Sequence, residues 1–507
     1  MAIPKIRWSA VLILGVAALF RLLLLDLKPP HFDEGVNGWF VDQITRTGYY
    51  RYDPSNYHGP LHFYVLFLFQ TLLGRHIWVL RLPIALVGMA TVGLVLLFER
   101  FIGRRPSELA ALALALSPAA VFYGRYAIHE SWLVLFLILT LFGLIGLRRE
   151  GTKKYLWATS MGLTGMILTK ETYFIHVACF GLAALCLRLW ETVSPSGDGP
   201  PCALPRWTAK DLTLCLATGA GLLFFFYSGT LLDLKALHGL YQTYAVWFHT
   251  GQEGHGHEKP SLYWVYPLMV RYEWTALTAM VGGLCLLIPK QNRLMRYLLI
   301  YGVGTLTAYS MVPYKTPWCI ISLLWPFFFI FGWLAAQLAK IVPAAATAVV
   351  MTLLAVSTGW SVVLNFFYYT DEREPYVYVQ TLGDIDKLMK PLKQLAAQDP
   401  SSYHLKGHVL VSSYHPLPWL LGNYTSIGYY SENKKPHEYD GDFLLVEQSR
   451  LEEVEKLLKE EYFTEPLKLR SSQDTSKLFL NANRFRTVFP NREPDFIPQA
   501  ESGDDTE

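Results

Sequence analysis

The chain has few cysteines and few charged residues, and each shortage excludes a class of protein. Charged residues make up 17% of 507 residues and the net charge is only +3, which gives no support to nucleic-acid binding. Of the six cysteines none follows Cys319 and none has metal-type spacing, so a disulfide framework is not expected. No repeat period is visible, and the region after residue 365 lacks the Gly-rich fingerprint that nucleotide binding would need.

Apolar and aromatic residues are abundant instead. Hydrophobic residues reach 52% and aromatic residues 15%, a composition typical of a polytopic membrane protein. A membrane-spanning helix needs roughly 20 apolar residues. The apolar runs predict eleven such helices, at about 8–26, 79–98, 107–123, 131–147, 155–169, 172–190, 211–228, 274–289, 297–312, 318–338 and 341–363.

The basic connections between these runs predict the orientation. They fall at Glu99–Arg105, Arg148–Lys154, Lys290–Arg296 and Lys340, and numbering the helices in order places them on one side with the N-terminus. The positive-inside rule makes that side cytoplasmic. We therefore expect a multi-pass protein of the plasma (inner) membrane with a cytoplasmic N-terminus. The expected domains are a transmembrane domain over 1–365, an extracytoplasmic α/β domain over 366–497 and an acidic disordered tail over 498–507.

The extracytoplasmic domain is predicted from strands that alternate with helices. The strands are expected at His408–Ser412 and Phe443–Glu447, with closing strands at Leu478–Asn481 and Arg484–Phe489. Amphipathic patterns predict helices at Leu382–Ala397 and Leu451–Glu460, and this order indicates a Rossmann-like layering.

The first external loop, 27–78, contains the adjacent carboxylates Asp33 and Glu34. Placing carboxylates at the end of a membrane segment costs free energy, so their presence indicates a structural or functional role. One interpretation is a catalytic base or metal ligand at the membrane surface. The other is an acid-rich helix N-terminus, which the helix dipole favours. Further polar residues lie in loops of the same side of the membrane: His58, Arg81, Arg125, Glu130, Lys170 and Lys315.

One acidic patch with several scattered cations suits a particular chemistry. In the transfer of a sugar from a lipid phosphate, cations can stabilise the departing phosphate and one carboxylate can deprotonate the acceptor hydroxyl. Neighbouring side chains of an extended segment point to opposite sides, so we expect only one carboxylate to face the acceptor and choose Asp33. Glu34 could bind a metal or hold the loop through Arg125.

A weaker signal lies in the loop that follows the seventh helix. His255, His257 and Glu258 could ligate a divalent cation, since imidazole suits zinc or manganese, or they could simply be solvated. In the outer domain, Tyr414-His415-Pro416 and Trp419 could bind an acceptor glycan or serve packing.

The order of these elements resembles the GT-C superfamily of membrane glycosyltransferases, including protein O-mannosyltransferases and aminoarabinose transferases of lipid A. The resemblance covers about residues 8–340. The elements that carry it are Asp33-Glu34, His58-Gly59-Pro60-Leu61, Arg125 to Glu130, Thr169-Lys170 and Lys315-Thr316-Pro317-Trp318. Within the superfamily the chain is most similar to the flippase-activity-associated proteins, through Tyr314 to Trp318 and through Pro416-Leu417-Pro418-Trp419.

The resemblance implies a GT-C fold, a polyprenyl-phosphate sugar donor and an inverting transfer with Asp33 as base. It also implies that Lys170 and Lys315 lie near the donor phosphate. Two positions depart from the family pattern, because His58-Gly59-Pro60 replaces a double proline after the histidine and Glu171 replaces a glycine after Lys170.

The expected function is therefore an inverting glycosyltransferase that moves a sugar from a polyprenyl-phosphate donor to an acceptor on the extracytoplasmic face. The expected partners are membrane lipid, the lipid-linked donor and a protein, lipid or glycan acceptor. Two alternatives remain. One is a non-catalytic component of lipid-linked glycan translocation, although a transporter is expected to show internal repeats and broken helices. The other is a structural partner that recruits envelope proteins through its outer domain.

Overall fold

The computed structural model describes residues 7–56, 58–197, 202–253, 256–431 and 434–498. The chain divides into two compact units. The first contains the described residues up to Leu27, then Gln43–Tyr369 and Arg373–Tyr376. The second contains Lys28–Asp42, Thr370–Glu372 and the described residues from Val377 onward. The predicted first domain thus loses the segment 28–42 to the second unit, and residues 499–507 of the predicted tail lie outside the described residues.

The first unit is built from helices. The division between the units falls inside the second of them, after Asp42. In chain order the helices are α1 (Trp8–Leu22), α2 (Phe32–Thr47), α3 (Leu61–Leu73), α4 (Ile77–Leu97), α5 (Glu99–Ile102), α6 (Arg104–Leu116), α7 (Pro118–Phe122), α8 (Glu130–Glu150), α9 (Lys153–Ile167), α10 (Tyr173–Val193), α11 (Ala209–Tyr227), α12 (Leu237–Glu253), α13 (Val270–Tyr272), α14 (Trp274–Gly282), α15 (Arg293–Met311), α16 (Ile320–Ile341) and α17 (Pro343–Phe366).

A multi-pass helical membrane fold is confirmed, whereas the number of spans stays a prediction. Each of the eleven predicted segments contains helix. Among the described residues, 6 helices are long and apolar enough to cross a membrane, or up to 7 if the bent pair Arg104–Leu116 and Pro118–Arg125 is one span. Three shorter apolar helices are Trp8–Leu22, Leu61–Leu73 and Trp274–Leu287.

The hairpin of α8 and α9 shows how small residues set the helix packing. Gly146 of α8 faces the ring of Tyr155, and Gly162 of α9 faces Thr140. A Cβ atom added at Gly162 would lie 2.8 Å from the backbone nitrogen of Thr140, a distance that backbone atoms cannot relieve by a rotamer change. Small residues of this kind let helices in a membrane approach closely enough for their backbones to pack.

The second unit contains a five-stranded mixed sheet with the strand order β2-β1-β3-β5-β4. Strand β1 pairs in parallel with β2 and β3, while β5 pairs antiparallel with β3 and β4. The strands are β1 (Lys406–Leu410), β2 (Ser426–Tyr429), β3 (Phe443–Val446), β4 (Tyr462–Leu467) and β5 (Ser476–Asn481), and the helices are α18 (Asp386–Gln398), α19 (Leu417–Leu420), α20 (Leu451–Glu455) and α21 (Ala482–Phe485).

Alternation along the strands creates a core on each face of the sheet. Leu388 and Leu392 of α18 share one cluster with alternate strand residues such as Leu445. Val454 of α20 shares the other cluster with the intervening residues such as Leu444. Helices therefore cover both faces, as the predicted α/β layering requires.

The predicted closing strand at Arg484–Phe489 is wrong. The Asn481 side chain accepts hydrogen bonds from the backbone N–H groups of Asn483 and Arg484 at 3.0 and 3.2 Å and so starts α21. The sheet is completed by β2 and β4, which the sequence patterns did not indicate. Both are edge strands, and β4 contains Pro466, a residue that is tolerated only at an edge and masks a strand pattern.

Gly162→Leu should disrupt the α8–α9 hairpin, because its side chain would meet backbone atoms of Thr140. We expect a loss of about 1–3 kcal/mol or more in the free energy of unfolding, seen as a lower Tm of the protein in detergent. Gly181→Leu is the matched control, since a Cβ atom at Gly181 of α10 meets nothing within 4 Å. Equal Tm values for the two variants would contradict this account of the hairpin.

Candidate active site

Asp33 and Glu34 lie in the first turn of α2, so the segment is the acid-rich helix N-terminus of the second interpretation and not an extended segment. Successive residues of a helix point about 100° apart, so the two carboxylates still diverge. The Glu34 carboxylate accepts a hydrogen bond from the backbone N–H of His31 at 2.9 Å. In return, His31 Nδ1 accepts one from the backbone N–H of Asp33 at 3.1 Å. This reciprocal arrangement is a variant of the capping box, with a histidine at the N-cap whose side chain binds the N2 rather than the N3 N–H, and it gives Glu34 a structural role.

The tautomer of His31 follows from the second hydrogen bond that its ring makes. His31 Nε2 lies 2.7 Å from the carbonyl oxygen of Tyr378, which can only accept, so Nε2 carries the proton. Nδ1 is then the acceptor that the N–H of Asp33 requires. Both ring nitrogens of His31 therefore contact backbone groups, and Nδ1 lies 4.0 Å from a carboxylate oxygen of Asp33.

Asp33 is the carboxylate that remains available. Its side chain is 38% exposed, whereas Glu34 is fully buried. Among the described residues no side chain or backbone group donates a hydrogen bond to the Asp33 carboxylate. A negative charge is favoured at the N-terminal end of a helix such as α2, so the arrangement supplies an accessible carboxylate without a protein hydrogen-bond donor in the described part of the chain.

Two glycines after the carboxylates bring α2 against the Pro416–Trp419 segment of the same second unit. A Cβ atom at Gly35 would overlap Pro416, and one at Gly38 would overlap the indole of Trp419. The sequence motifs Asp33-Glu34-Gly35 and Pro416-Leu417-Pro418-Trp419 are therefore in contact. The sequence alone gave no reason to join them.

His415 and Arg470 complete the surroundings of the α2 N-terminus. The His415 ring packs edge-on against Phe32 at 5.3 Å between centroids, and the Arg470 guanidinium lies 5.0 Å above the same ring. Burial lowers the pKa of His415 to about 4, and the charge of Arg470 lowers it further while Asp33 opposes the shift. His415 is thus neutral at neutral pH. Arg470 carried no signal in the sequence.

In the first unit, three of the predicted site residues meet in one buried cluster. Lys170 Nζ lies 2.9 Å from a carboxylate oxygen of Glu130 and 3.4 Å from one of Glu171. The other Glu171 oxygen lies 2.9 Å from His58 Nδ1. Burial by itself lowers the pKa of the Lys170 ammonium, but the two carboxylates outweigh it and hold that pKa well above its usual value. The charge of Lys170 is therefore already neutralised within the cluster.

Both departures from the family pattern contribute to this cluster. The backbone N–H of Gly59 donates to the Thr169 carbonyl oxygen at 3.3 Å, and a Cβ atom at Gly59 would lie 2.5 Å from the Thr169 nitrogen. Glycine thus permits the close approach that carries His58 to Glu171. Glu171, which replaces a glycine, supplies the carboxylate that His58 contacts.

The rings of two further histidines lie beside the cluster at tilted angles. The His129 ring lies 4.5 Å from that of His58 and 4.2 Å from that of His62, between centroids. His62 Nε2 lies 3.2 Å from the Ala127 carbonyl oxygen, which leaves Nδ1 as its acceptor. His62 was not predicted. It is the second residue of α3, whereas His58 lies in the loop before that helix, so their spacing along the chain was no signal of a shared neighbour.

Arg125 and Arg81 bind the end of α1. Arg125 donates hydrogen bonds to the carbonyl oxygens of Phe20, Leu23 and Leu24 at 2.7 to 3.0 Å. Arg81 donates to the Leu25 carbonyl oxygen at 2.9 Å. The last carbonyls of a helix lack partners within it, so these guanidiniums cap α1 at its C-terminal end. This structural role was not predicted.

Lys315 lies in a loop that pairs with the loop of the predicted metal ligands. The backbone N–H of Lys315 donates to the backbone carbonyl oxygen of His257 at 3.1 Å, and Glu258 forms an antiparallel bridge with Tyr314. The Lys315 ammonium donates to the carbonyl oxygens of Val312 and Lys259. Burial lowers its pKa. Among the described residues no carboxylate pairs with Lys315, so its charge is solvated by carbonyl oxygens but not neutralised.

The predicted metal site stays a prediction. His255 lies outside the described residues, and His257 packs its ring against Tyr314 at 4.9 Å between centroids. Within the described ranges, no group of three or more His, Cys, Asp or Glu side chains could hold a metal ion.

Comparisons with known proteins point to one fold. The family model described as dolichyl-phosphate-mannose-protein mannosyltransferase matches residues 57–195. ArnT of Cupriavidus metallidurans, solved bound to undecaprenyl phosphate, is similar in structure with a TM-score of 0.61 and 15% identity, over 92% of this chain and 97% of that one. The Archaeoglobus fulgidus oligosaccharyltransferase gives a TM-score of 0.50 and 9% identity, over 93% and 73%. A search of curated proteins by sequence found no match.

The protein is thus a multi-pass membrane protein with the GT-C fold. The comparisons confirm the predicted resemblance to the GT-C superfamily of membrane glycosyltransferases. The finer likeness to the flippase-activity-associated proteins stays a prediction.

Lys170→Met should destabilise the protein strongly, because it removes the ammonium that pairs with the buried Glu130 and leaves the buried Glu171 with His58 alone. We expect a loss of about 3–5 kcal/mol in the free energy of unfolding, measured as a fall in Tm in detergent. Adding Glu130→Gln to that variant should recover part of the loss.

The control is Lys154→Met, since Lys154 forms a surface pair with Glu150 and such pairs contribute about 0–1 kcal/mol. A Lys170 variant no less stable than the Lys154 variant would refute the cluster's stabilising role.

Proposed function

We propose that the protein is an inverting glycosyltransferase that moves a sugar from a polyprenyl-phosphate donor to a hydroxyl of a protein, lipid or glycan acceptor on the extracytoplasmic face. The observation that carries the proposal is the accessible carboxylate of Asp33, which accepts no hydrogen bond from the described residues while its neighbour Glu34 is committed to the capping box. The GT-C fold supports it. The ArnT structure, solved with undecaprenyl phosphate, supports the class of donor.

The proposed reaction needs one base. Asp33 accepts the proton of the acceptor hydroxyl as its oxygen attacks the anomeric carbon. The bond between that carbon and the phosphate oxygen breaks, and the polyprenyl phosphate departs with the bonding electrons. Attack opposite the leaving group inverts the anomeric configuration. No acid is required for the departing oxygen, because a phosphate is already a good leaving group.

The phosphate charge needs cations, and Lys315 is the best supported of those predicted. Its ammonium is buried and contacts carbonyl oxygens, so a phosphate oxygen would add the missing negative charge. Lys170 differs because Glu130 and Glu171 already neutralise it. We therefore assign phosphate binding to Lys315. Lys170, Glu130 and His58 are assigned to the buried cluster that orders the loops around them.

The capping interactions assign the remaining residues. Arg81 and Arg125 fix the end of α1, and Glu34 with His31 fixes the start of α2. Residues 23–31 connect these two helix ends. The two arginines bind the start of this connection, and His31 with Glu34 binds its end, just before Asp33. We propose that their contribution to catalysis is to position Asp33.

Asp33→Asn should abolish transfer and preserve donor binding, because an amide cannot accept the hydroxyl proton. We expect donor consumption to fall by about 10²–10⁴-fold and the donor Kd to change less than about threefold, a shift under roughly 0.7 kcal/mol. The assay uses purified protein in lipid nanodiscs with labelled polyprenyl-phosphate sugars, and a deproteinised membrane extract supplies acceptors.

Asp42→Asn, further along α2, is the matched carboxylate control and should retain transfer. Wild-type protein that binds each donor tested but consumes none of it, with or without the extract, would favour translocation over transfer.

Lys315→Met should weaken donor binding about tenfold or more, since a charge-assisted hydrogen bond contributes about 1.5–3 kcal/mol. The same nanodisc binding assay measures the donor Kd. Lys153→Met removes an exposed lysine at the start of α9 and should leave the Kd unchanged. If Lys170→Met weakened donor binding and Lys315→Met did not, the assignment of the phosphate would have to move to Lys170.

A further inference from the structure

A groove lies between three helices of the first unit, at the C-terminal ends of α8 and α10 and the N-terminal end of α15. It encloses about 370 Å³. Its walls are mostly apolar and include Leu141, Ile145, Phe180 and Leu187. Arginines stand at its rim, so the groove combines an apolar interior with a strongly basic opening.

The arginines of this rim differ in how far they are already engaged. Arg293 makes a two-pronged ion pair with Glu191, with nitrogen-to-oxygen distances of 2.7 and 3.0 Å. Arg149 donates to the carbonyl oxygen of Phe101 at 2.7 Å. Arg148 and Arg188 are exposed, and in the described part of the chain neither side chain has a hydrogen-bond or ion-pair partner. Two guanidiniums with free donors therefore border the apolar walls.

The groove is separate from the candidate site. Glu130 of the Lys170 cluster is the first residue of α8, and Arg148 lies near its last. Because a helix rises 1.5 Å per residue, the 21 residues of α8 span about 30 Å, the thickness of a bilayer's hydrocarbon core. The groove thus opens at the opposite end of a membrane-spanning helix from the cluster.

We propose that this groove binds an anionic phospholipid, with an acyl chain along the apolar walls and the headgroup phosphate on Arg148 and Arg188. Basic pockets between transmembrane helices suit anionic lipid headgroups, and guanidinium groups bind phosphate through paired hydrogen bonds. A soluble anion would use the two arginines but would gain nothing from the apolar walls. Because apolar walls and exposed arginines occur together at one end of the membrane-spanning helices, a lipid is favoured over a soluble anion.

The test titrates the full-length protein in detergent with phosphatidylglycerol that carries a fluorescent acyl chain. Phosphatidylcholine with the same chain is the neutral comparison. We expect phosphatidylglycerol to bind at least about tenfold more tightly, as one charge-assisted contact implies. Arg148→Gln with Arg188→Gln should remove this preference. Gly181→Leu should weaken both lipids, because Gly181 lines the groove and its Cβ would point into open space.

Matched controls separate the groove from general surface effects. Arg105→Gln removes an exposed arginine at the start of α6, and Gly221→Leu adds a side chain in open space on α11. Neither should alter binding. Equal affinity for the two lipids, or equal losses in the Arg105 variant and the double variant, would overturn the proposal. Displacement of phosphatidylglycerol by inorganic phosphate, with no effect of Gly181→Leu, would overturn it in favour of a soluble anion.

Discussion

A charge buried among apolar helices must be neutralised by an opposite charge or solvated by polar groups, and this constraint governs the described membrane unit. Lys170 is neutralised by Glu130 and Glu171. Arg125 and Arg81 follow the second route, because they donate to carbonyl oxygens at the end of α1. The cost of burial is thereby met by contacts that also fix the ends of helices. Most of the ionisable residues that stand out in the sequence are explained in this way.

The residues that the constraint does not explain carry the functional argument. Asp33 stands at a helix start but accepts no hydrogen bond from the described residues, and Lys315 is solvated by carbonyl oxygens without a carboxylate. Each is tolerable for a physical reason: Asp33 is half exposed and favoured by the dipole of α2, and Lys315 has two strong acceptors. Incomplete neutralisation leaves each of them able to bind a further group. That distinguishes them from Glu34 and Lys170, which the sequence placed in the same class.

The sequence predicted the helices that lie in long apolar runs, because a run of about 20 apolar residues has few other stable conformations in a chain of this composition. It also identified the carboxylate pair after the first helix. It missed α2 and α12, of 16 and 17 residues, which lie in segments that it assigned to external loops. It chose Asp33 over Glu34 as the base, but it could not predict that Glu34 caps α2, since that role depends on a His31 side chain that is an unusual N-cap. The contact of Gly35 with Pro416 joins residues nearly 400 positions apart, and no local pattern reports such a contact. The edge strands were missed for local reasons, because β2 has only four residues, none of them buried, and Pro466 masks the strand pattern of β4.

The two departures from the family pattern, at Gly59 and Glu171, have a structural effect only in combination. In the sequence, the position of Glu171 next to Lys170 indicates only that its carboxylate could neutralise the ammonium expected to bind phosphate. In the structure it has a second partner, His58, which reaches it because Gly59 allows its backbone to lie against the turn at Thr169. A side chain at Gly59 would displace His58, and a glycine at Glu171 would leave His58 without its carboxylate. The two positions therefore depend on each other. A relative with the family's proline at the position of Gly59 should also have the family's glycine at the position of Glu171.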